Sequence, residues 1–431
     1  MRHLVFALLL LLALPAFPAT PNNDDSCDIS VAPAATLLLP YFEVDLASDR
    51  TRALDTLLTI TNASRETQIA HVTLWTDLSY PLYVFDLILT GYDVQAISFY
   101  DLLTTGVIAG GPPRGYFVGP YGSQSVSNPK NVMRARTECV LLPGSIPQSL
   151  LADIRKALTT GAFGDCDPGQ AGMTHTHAIG YATIDVVAGC SSRFPTETRY
   201  YTDDLLYDNV LIGDWAIVSP NPITGNYASG SPLVHIRAIP EGSLAGVTVP
   251  TNLPRTFYER YTPPATPHMD RRQPLPSTFV ARFIEGGTTA FATDFLIWRQ
   301  GTVPAGAGCA QSIGNLQDIR EFLRVDEREN VFLNHGFCGF GCPPSFVKLS
   351  STSRTKSDNT AIYPALTSGD VAGWMYLSLT NPSIPTQSWV VSMMSAEGRF
   401  SVAFDAAALG NGCSPPPLNG AIIGPLPNGT P

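Results

Sequence analysis

Apolar and polar residues alternate with a period of two along much of this chain. Residues 56–62 (TLLTITN) put Leu58 and Ile60 on one face, and Ala63-Ser64-Arg65 supplies the turn that follows. Residues 69–77 (IAHVTLWTD) put Ala70, Val72 and Leu74 on one face. In 83–90 (YVFDLILT), Tyr83, Phe85, Leu87 and Leu89 alternate with Val84, Asp86, Ile88 and Thr90; 94–102 reads as a fourth strand after the turn at Gly91. Period two marks strands with one buried face, and a sheet of such strands needs a second sheet to cover it. The pattern predicts an all-β fold of immunoglobulin-like β-sandwich architecture.

The same grammar returns near the C-terminus. Residues 278–285 and 290–299 flank Gly286-Gly287, a hairpin signal, and 373–381, 387–397 and 399–405 read as a further meander. Two short helices are expected. One is 150–158, where Leu150, Leu151, Ile154, Ala157 and Leu158 form an apolar stripe; the other is 316–324, where Leu316, Ile319 and Leu323 are in phase. The stretch 191–276 reads as long loops with one clear strand at 233–239. Loops of that length are often functional, or else hide strands.

Composition narrows the class. With 44% hydrophobic and 14% charged residues, the chain can bury a core, and its 36 glycines and 37 prolines suit loop-rich β architecture better than a helix bundle. The 26 basic and 36 acidic residues leave a net charge of −10 without a basic stripe, which argues against nucleic acid as a partner. Residues 1–19 read as a signal peptide: Arg2 precedes the apolar run 4–14, which is too short to span a bilayer. No second apolar run of spanning length follows, so no membrane span is expected after cleavage. The expected location is bacterial, secreted or periplasmic.

Cys27, Cys139, Cys166, Cys190, Cys309, Cys338, Cys342 and Cys413 all lie beyond the signal. An even number in an oxidising compartment implies disulfides, with the pairing left open. Length favours two packed β domains. The expected division is an N-terminal sandwich at 20–125, a larger β-rich domain at 126–414 that is inserted into or completes the first sandwich, and a proline-rich tail at 415–431.

Three groups of residues carry candidate chemistry. His175 and His177 have the H-x-H spacing that projects two imidazoles to one face of a strand, with Tyr181 and Asp185 continuing that face. Zinc would need a third ligand, for which His235 or His71 would have to arrive through the fold. His335, Cys338 and Cys342 have metal-like spacing, but export favours bridging of the thiols. Tyr200, Tyr201, Asp203, Asp204, Tyr207, Asp208, Asn209, Asp214 and Trp215 form an acidic-aromatic loop. Its carboxylates suit calcium and its rings suit stacking on a sugar or a partner surface. Asp165, Asp167 and Gly169 hint at a further turn-borne site. No cofactor is expected, with calcium or zinc as the candidates. The standard nucleophile-elbow, zinc-helix, phosphate-loop and dinucleotide signatures are absent from the sequence, so the reading leans away from an enzyme.

The segments LLLPYFEVDL (37–46), VTLWTDLSYPLYVFDLILTGYDVQ (72–95), GYATIDVV (180–187), PLVHIRAIPEG (232–242), DRRQPLP (270–276) and the GNGC at Cys413 resemble a group of uncharacterised secreted bacterial β-rich proteins. The resemblance implies export and a shared multi-strand fold, and it transfers no catalytic residue. The expected function is a secreted, disulfide-stabilised binding or surface component that recognises a cell-surface or extracellular protein or glycan. The rivals are a metal-dependent enzyme built on His175 and His177, and a self-assembling structural subunit.

Overall fold

The structure is a computed structural model. It describes residues 29–107, 115–116, 146–197, 199–220, 227–238, 256–258, 270–287, 290–301, 318–319, 321–333, 347–366, 371–380, 386–396 and 400–409. The expected signal peptide, the expected division between residues 125 and 126, the proline-rich tail and the His335–Cys338–Cys342 group lie outside these residues.

The first half contains β1 (Thr36–Val44), β2 (Asp55–Asn62), β3 (Gln68–Thr76), β4 (Pro81–Leu89) and β5 (Val94–Ser98). Helix α1 (Phe99–Thr105), β6 (Gly115–Tyr116), α2 (Gln148–Thr160) and β7 (Ala178–Val187) follow. A π-helical turn (Tyr200–Asp204) then leads to β8 (Leu211–Ser219), β9 (Tyr227–Pro232) and β10 (Val234–Ile236). The second half contains β11 (Thr278–Ile284), β12 (Phe291–Arg299), β13 (Asp318–Ile319), β14 (Glu321–Asp326), β15 (Val331–Leu333) and β16 (Val347–Lys348). It ends with β17 (Thr352–Lys356), β18 (Ala372–Ser378), β19 (Ser388–Ala396), β20 (Phe400–Asp405) and β21 (Ala407–Ala408).

These strands form four larger antiparallel sheets. Sheet I has the order β10-β1-β7-β3-β4-β6, and sheet II the order β5-β2-β8-β9. Sheet III is β15-β14-β18-β11-β21, sheet IV is β17-β12-β19-β20, and β13 pairs with β16 separately. The fold is therefore all-β and sandwich-type. Successive strands often change sheet: β2 lies in sheet II while β3 and β4 form a hairpin in sheet I, and β5 returns to pair with β2. The Gly286-Gly287 turn has the left-handed backbone its sequence suggested, with φ of 63° and 73°. Its flanking strands part company, however, since β11 pairs with β18 and β21 while β12 pairs with β17 and β19.

Sheet I crosses the expected domain boundary. β7 lies between β1 and β3, β10 pairs with β1, and β8 pairs with β2. Sheets I and II thus each contain strands from chain that follows residue 126. One continuous apolar core runs from Ala34 to Ala406 and joins both halves. At Gly180 in β7, an added Cβ would lie 2.7 Å from the Phe42 ring and 2.3 Å from the Trp75 carbonyl oxygen, so only hydrogen fits there.

Several sequence expectations need correction. The strand expected over 94–102 stops at Ser98, whose hydroxyl accepts from the Asp101 amide at 3.1 Å and caps α1. Phe99, Leu102 and Leu103 then follow helical spacing and are buried. Where a helix is expected at 316–324, the described residues 318–319 and 321–324 are strand, because Glu321–Asp326 pairs with β18 along its whole length and tertiary pairing outweighs a chance helical phase. The stretch read as long loops with a strand at 233–239 holds β8, β9 and a shorter β10. β1 gave no alternation signal because all nine of its positions are buried, as in a strand covered on both faces. The helix at 150–158 is present as α2, closed by Gly161 at φ 69°.

Candidate functional site

Burial on both faces of sheet I explains its polar row. β3 is buried at all nine positions. Ala70, Val72 and Leu74 fill one face, and the opposite face carries Ile69, His71, Thr73 and Trp75. Polar groups there need partners from within the protein. The ladder supplies them, since Thr36 of β1 faces Asp185 of β7, Asp185 faces His71 of β3, and His71 faces Asp86 of β4. Residues directly opposite in a ladder project to the same side, so four polar side chains line up across four strands.

His71 Nδ1 lies 2.7 Å from Asp86 Oδ1, and Nε2 lies 3.1 Å from the Arg193 carbonyl oxygen. Both ring nitrogens face acceptors, an arrangement the doubly protonated imidazolium satisfies. Burial alone would lower the His71 pKa, but Asp86, Asp185 and Asp204 outweigh it and hold the value above the ordinary one. Burial raises Asp86, an effect partly offset by His71 and by the Ser191 amide, which donates to Oδ2 at 3.1 Å.

Asp185 is the second node. Tyr200 and Tyr258 donate to its Oδ2 at 2.6 and 2.9 Å, Thr36 donates to Oδ1, and Arg272 Nε lies 3.4 Å from Oδ1. Burial, followed by the charge of Asp185, pushes both tyrosines well above the ordinary phenol value. Arg272 also pairs with Asp270 and donates to the Leu206 carbonyl at 3.0 Å. Arg271 and Arg272 both stack over the Tyr207 ring.

The acidic-aromatic loop therefore folds down onto sheet I. Tyr200, Tyr201, Tyr207 and Trp215 are at most 3% exposed, which removes the open stacking surface their composition suggested. Tyr201 donates to the Pro195 carbonyl at 2.6 Å. Asp204 accepts from Ser191 and Arg193 at 2.9 Å each. Asp203 pairs with Arg199, Asp208 is buried, and Asn209 bonds both backbone groups of Ala238. Asp214 alone is exposed, on β8 opposite Thr59. Arg193 lies between Asp203 and Asp204, and among the described residues these carboxylates do not converge on a calcium-like cage. Asp165, Asp167 and Gly169 lie in a turn, where the Asp167 amide donates to Gln170 and Gly169 has φ 83°.

His175 and His177 sit just before β7 and turn to different carboxylates. His175 Nε2 lies 3.0 Å from Asp77 Oδ2, and His177 Nδ1 lies 2.7 Å from Glu43 Oε1. Glu43 also accepts from Tyr41 at 2.9 Å and from Arg354 at 3.0 Å, and Arg354 bonds Asp294 at 2.6 Å. Burial would raise Glu43, but Arg354, His177 and Tyr41 together lower it. This chain links β1 and β7 of sheet I with β12 and β17 of sheet IV. The suggested third ligands are committed elsewhere: His71 to Asp86, and His235 Nε2 to the Gly213 amide at 3.2 Å. Among the described residues no group of three or more His, Cys, Asp and Glu is placed to hold a metal ion.

Cys166 and Cys190 are buried, and no cysteine among the described residues is free. The other six cysteines lie outside the described residues. Among these residues no helix is long and apolar enough to cross a membrane.

Asp270, Arg272 and Tyr258 were not singled out from the sequence as functional candidates. The one available signal was the charged DRR run ahead of Pro274 and Pro276. Compared with family models, curated proteins and solved structures, the chain finds no match.

Proposed function

We propose that this chain is an exported, disulfide-braced β-sandwich protein that acts by binding, as a recognition or surface component outside the cytoplasm. One observation carries the reading. The ionisable residues that chemistry would need are tied pairwise across neighbouring strands of sheet I and their ends, with His71 on Asp86, His175 on Asp77 and His177 on Glu43. Groups spent this way hold a rigid scaffold and leave recognition to its outward surface. Export rests on the leader-like N-terminus and on the resemblance to secreted bacterial proteins.

The test is incubation of the purified, signal-processed protein with cell-envelope material, extracellular proteins and glycans, alongside a panel of hydrolase and oxidase substrates. Saturable binding without turnover is the expected result. Robust turnover without saturable binding overturns the reading, as does one tightly held transition metal lost on replacing His175 and His177 by alanine.

A further inference from the structure

After β7 the chain leaves sheet I and returns to it at Leu205. An isolated bridge between Val187 and Leu205 closes the base of this excursion, and the Ala188 amide donates to the Asp204 carbonyl at 2.7 Å. Side chains of the excursion hold it together internally. Ser191 and Arg193 donate to Asp204, Arg199 pairs with Asp203, and Tyr201 donates to the Pro195 carbonyl. Other bonds fasten it down to the sheet. The Ser191 amide donates to Asp86 Oδ2 at 3.1 Å, Tyr200 donates to Asp185 Oδ2 at 2.6 Å, and His71 Nε2 lies 3.1 Å from the Arg193 carbonyl oxygen.

That last bond depends on the charge state of the His71–Asp86 pair. His71 Nδ1 lies 2.7 Å from Asp86 Oδ1, and a neutral imidazole carries a single N–H. When the pair gives up a proton, the remaining N–H stays on Nδ1 beside the carboxylate. The bare Nε2 then faces the Arg193 carbonyl oxygen, acceptor against acceptor. Both side chains are closed to solvent, so water relieves the mismatch only if the segment above them moves.

Charge acts in the same direction. Among the described residues, His71 is faced by Asp86 from β4, Asp185 from β7, and Asp204 and Tyr200 from the segment above, the Tyr200 ring lying 5.5 Å away. Arg193 pairs with Asp204, while Asp185 has Arg272 at 3.4 Å and the Tyr258 hydroxyl, and Arg272 is shared with Asp270. Loss of the imidazolium removes the cation between Asp86 and Asp204, one carboxylate on the sheet and the other on the segment.

We infer that residues 191–197 and 199–204 form a pH-released cover on sheet I, latched while His71 is doubly protonated and let go when its ring loses a proton. Release uncovers Tyr200 and Tyr201, which are at most 2% exposed in the latched state. The sheet beneath stays paired, because β3 keeps β4 and β7 on its two sides.

The test is hydrogen exchange on the full mature chain from pH 5 to 9, corrected for intrinsic exchange rates, with nitrogen NMR of the His71 ring reporting its charge. Burial works against the imidazolium, but Asp86, Asp185 and Asp204 outweigh it, so the ring in the latched state titrates above 6.5. The opening constant of amides in the cover should therefore be flat below 6.5, rise by up to about tenfold per pH unit above it, and level off once the latched ring has titrated. Amides in the β3–β7 ladder should not follow, and in His71→Gln the opening constant of the cover should no longer depend on pH. The inference is overturned if the cover opens no more at pH 9 than at pH 6, or if the ring is already neutral at pH 6. It is equally overturned if the ladder opens in step with the cover, or if His71→Gln keeps the parent's rise. Should His71→Gln fail to fold, the exchange and ring measurements on the parent decide alone.

Discussion

His71 and Asp86 face each other across the β3–β4 hairpin, with Nδ1 2.7 Å from Oδ1 and both side chains closed to solvent. His235, on β10 of the same sheet, is buried with no carboxylate partner among the described residues, and burial pushes its pKa down to about 4. The two imidazoles therefore respond to pH in opposite directions. His71 sits above the ordinary value of 6.5, so its contribution is complete below that value and is lost as pH rises through the folded pKa. The His235 contribution is complete above 6.5 and is lost as pH falls toward about 4.

Stability against urea, measured from pH 4 to 9, should separate the two groups. His235→Gln should flatten the acid limb between 6.5 and 4, and His71→Gln the limb above 6.5. Each proton contributes a slope of at most about 1.4 kcal/mol per pH unit. Parallel curves for both variants and the parent would contradict this assignment.

Asp185 gathers Tyr200, Tyr258, Thr36 and Arg272 in a site without solvent. Asp185→Ala takes away one of the two carboxylates around the buried Arg272 guanidinium and the acceptor of two phenols, and should cost about 3–5 kcal/mol in chemical denaturation. A loss below about 1 kcal/mol would mean that the network holds no such weight.

Glu43 joins the two halves through His177 and Arg354. Its folded pKa is lowered, so its stabilising contribution is present above the ordinary carboxylate value and is lost as pH falls through the folded one. A double-mutant cycle of Glu43→Gln with Arg354→Met should give a coupling near 1 kcal/mol at pH 7, because Arg354 is 30% exposed and partly screened. The coupling should fall as pH drops through the lowered folded pKa of Glu43. A pH-independent coupling would rule out the ionic account.

Cys166 and Cys190 should resist alkylation in the native protein, and Cys190→Ser should lower stability by about 2–4 kcal/mol. Modification of either thiol under non-reducing native conditions would refute this.

How much of this was legible beforehand depends on how many faces of a strand are covered. The strands with an exposed face, such as β2 with Leu58 and Ile60 inward and Leu57 outward, were readable from alternation. β1 was not, because burial on both sides erases the period. The pairing of His71 with Asp86 was obscured by a single irregularity. Counting back from the turn, where Trp75 faces Pro81, would bring Phe85 opposite His71 and send Asp86 to the other face. The register shift between Leu74 and Trp75 moves the count by one and brings Asp86 into line. The acidic-aromatic segment was recognisable as unusual, but its direction was not. Its rings turn inward because Asp185 takes the Tyr200 hydroxyl and Arg271 and Arg272 cover Tyr207, and the two arginines are remote in sequence.

The placement of β7 also bears on how the molecule comes into being. β3 and β4 can zip up as soon as they are made, but the strand that seats β3 beside β1 ends only at Val187. Until that stretch is available, a growing chain carries two incomplete ribbons with open rims. Sequence-distant pairing of this kind slows acquisition of structure and prolongs exposure to misassociation. Fragments ending before residue 178 should aggregate, whereas chains carried beyond residue 236 gain every partner that the first two sheets require.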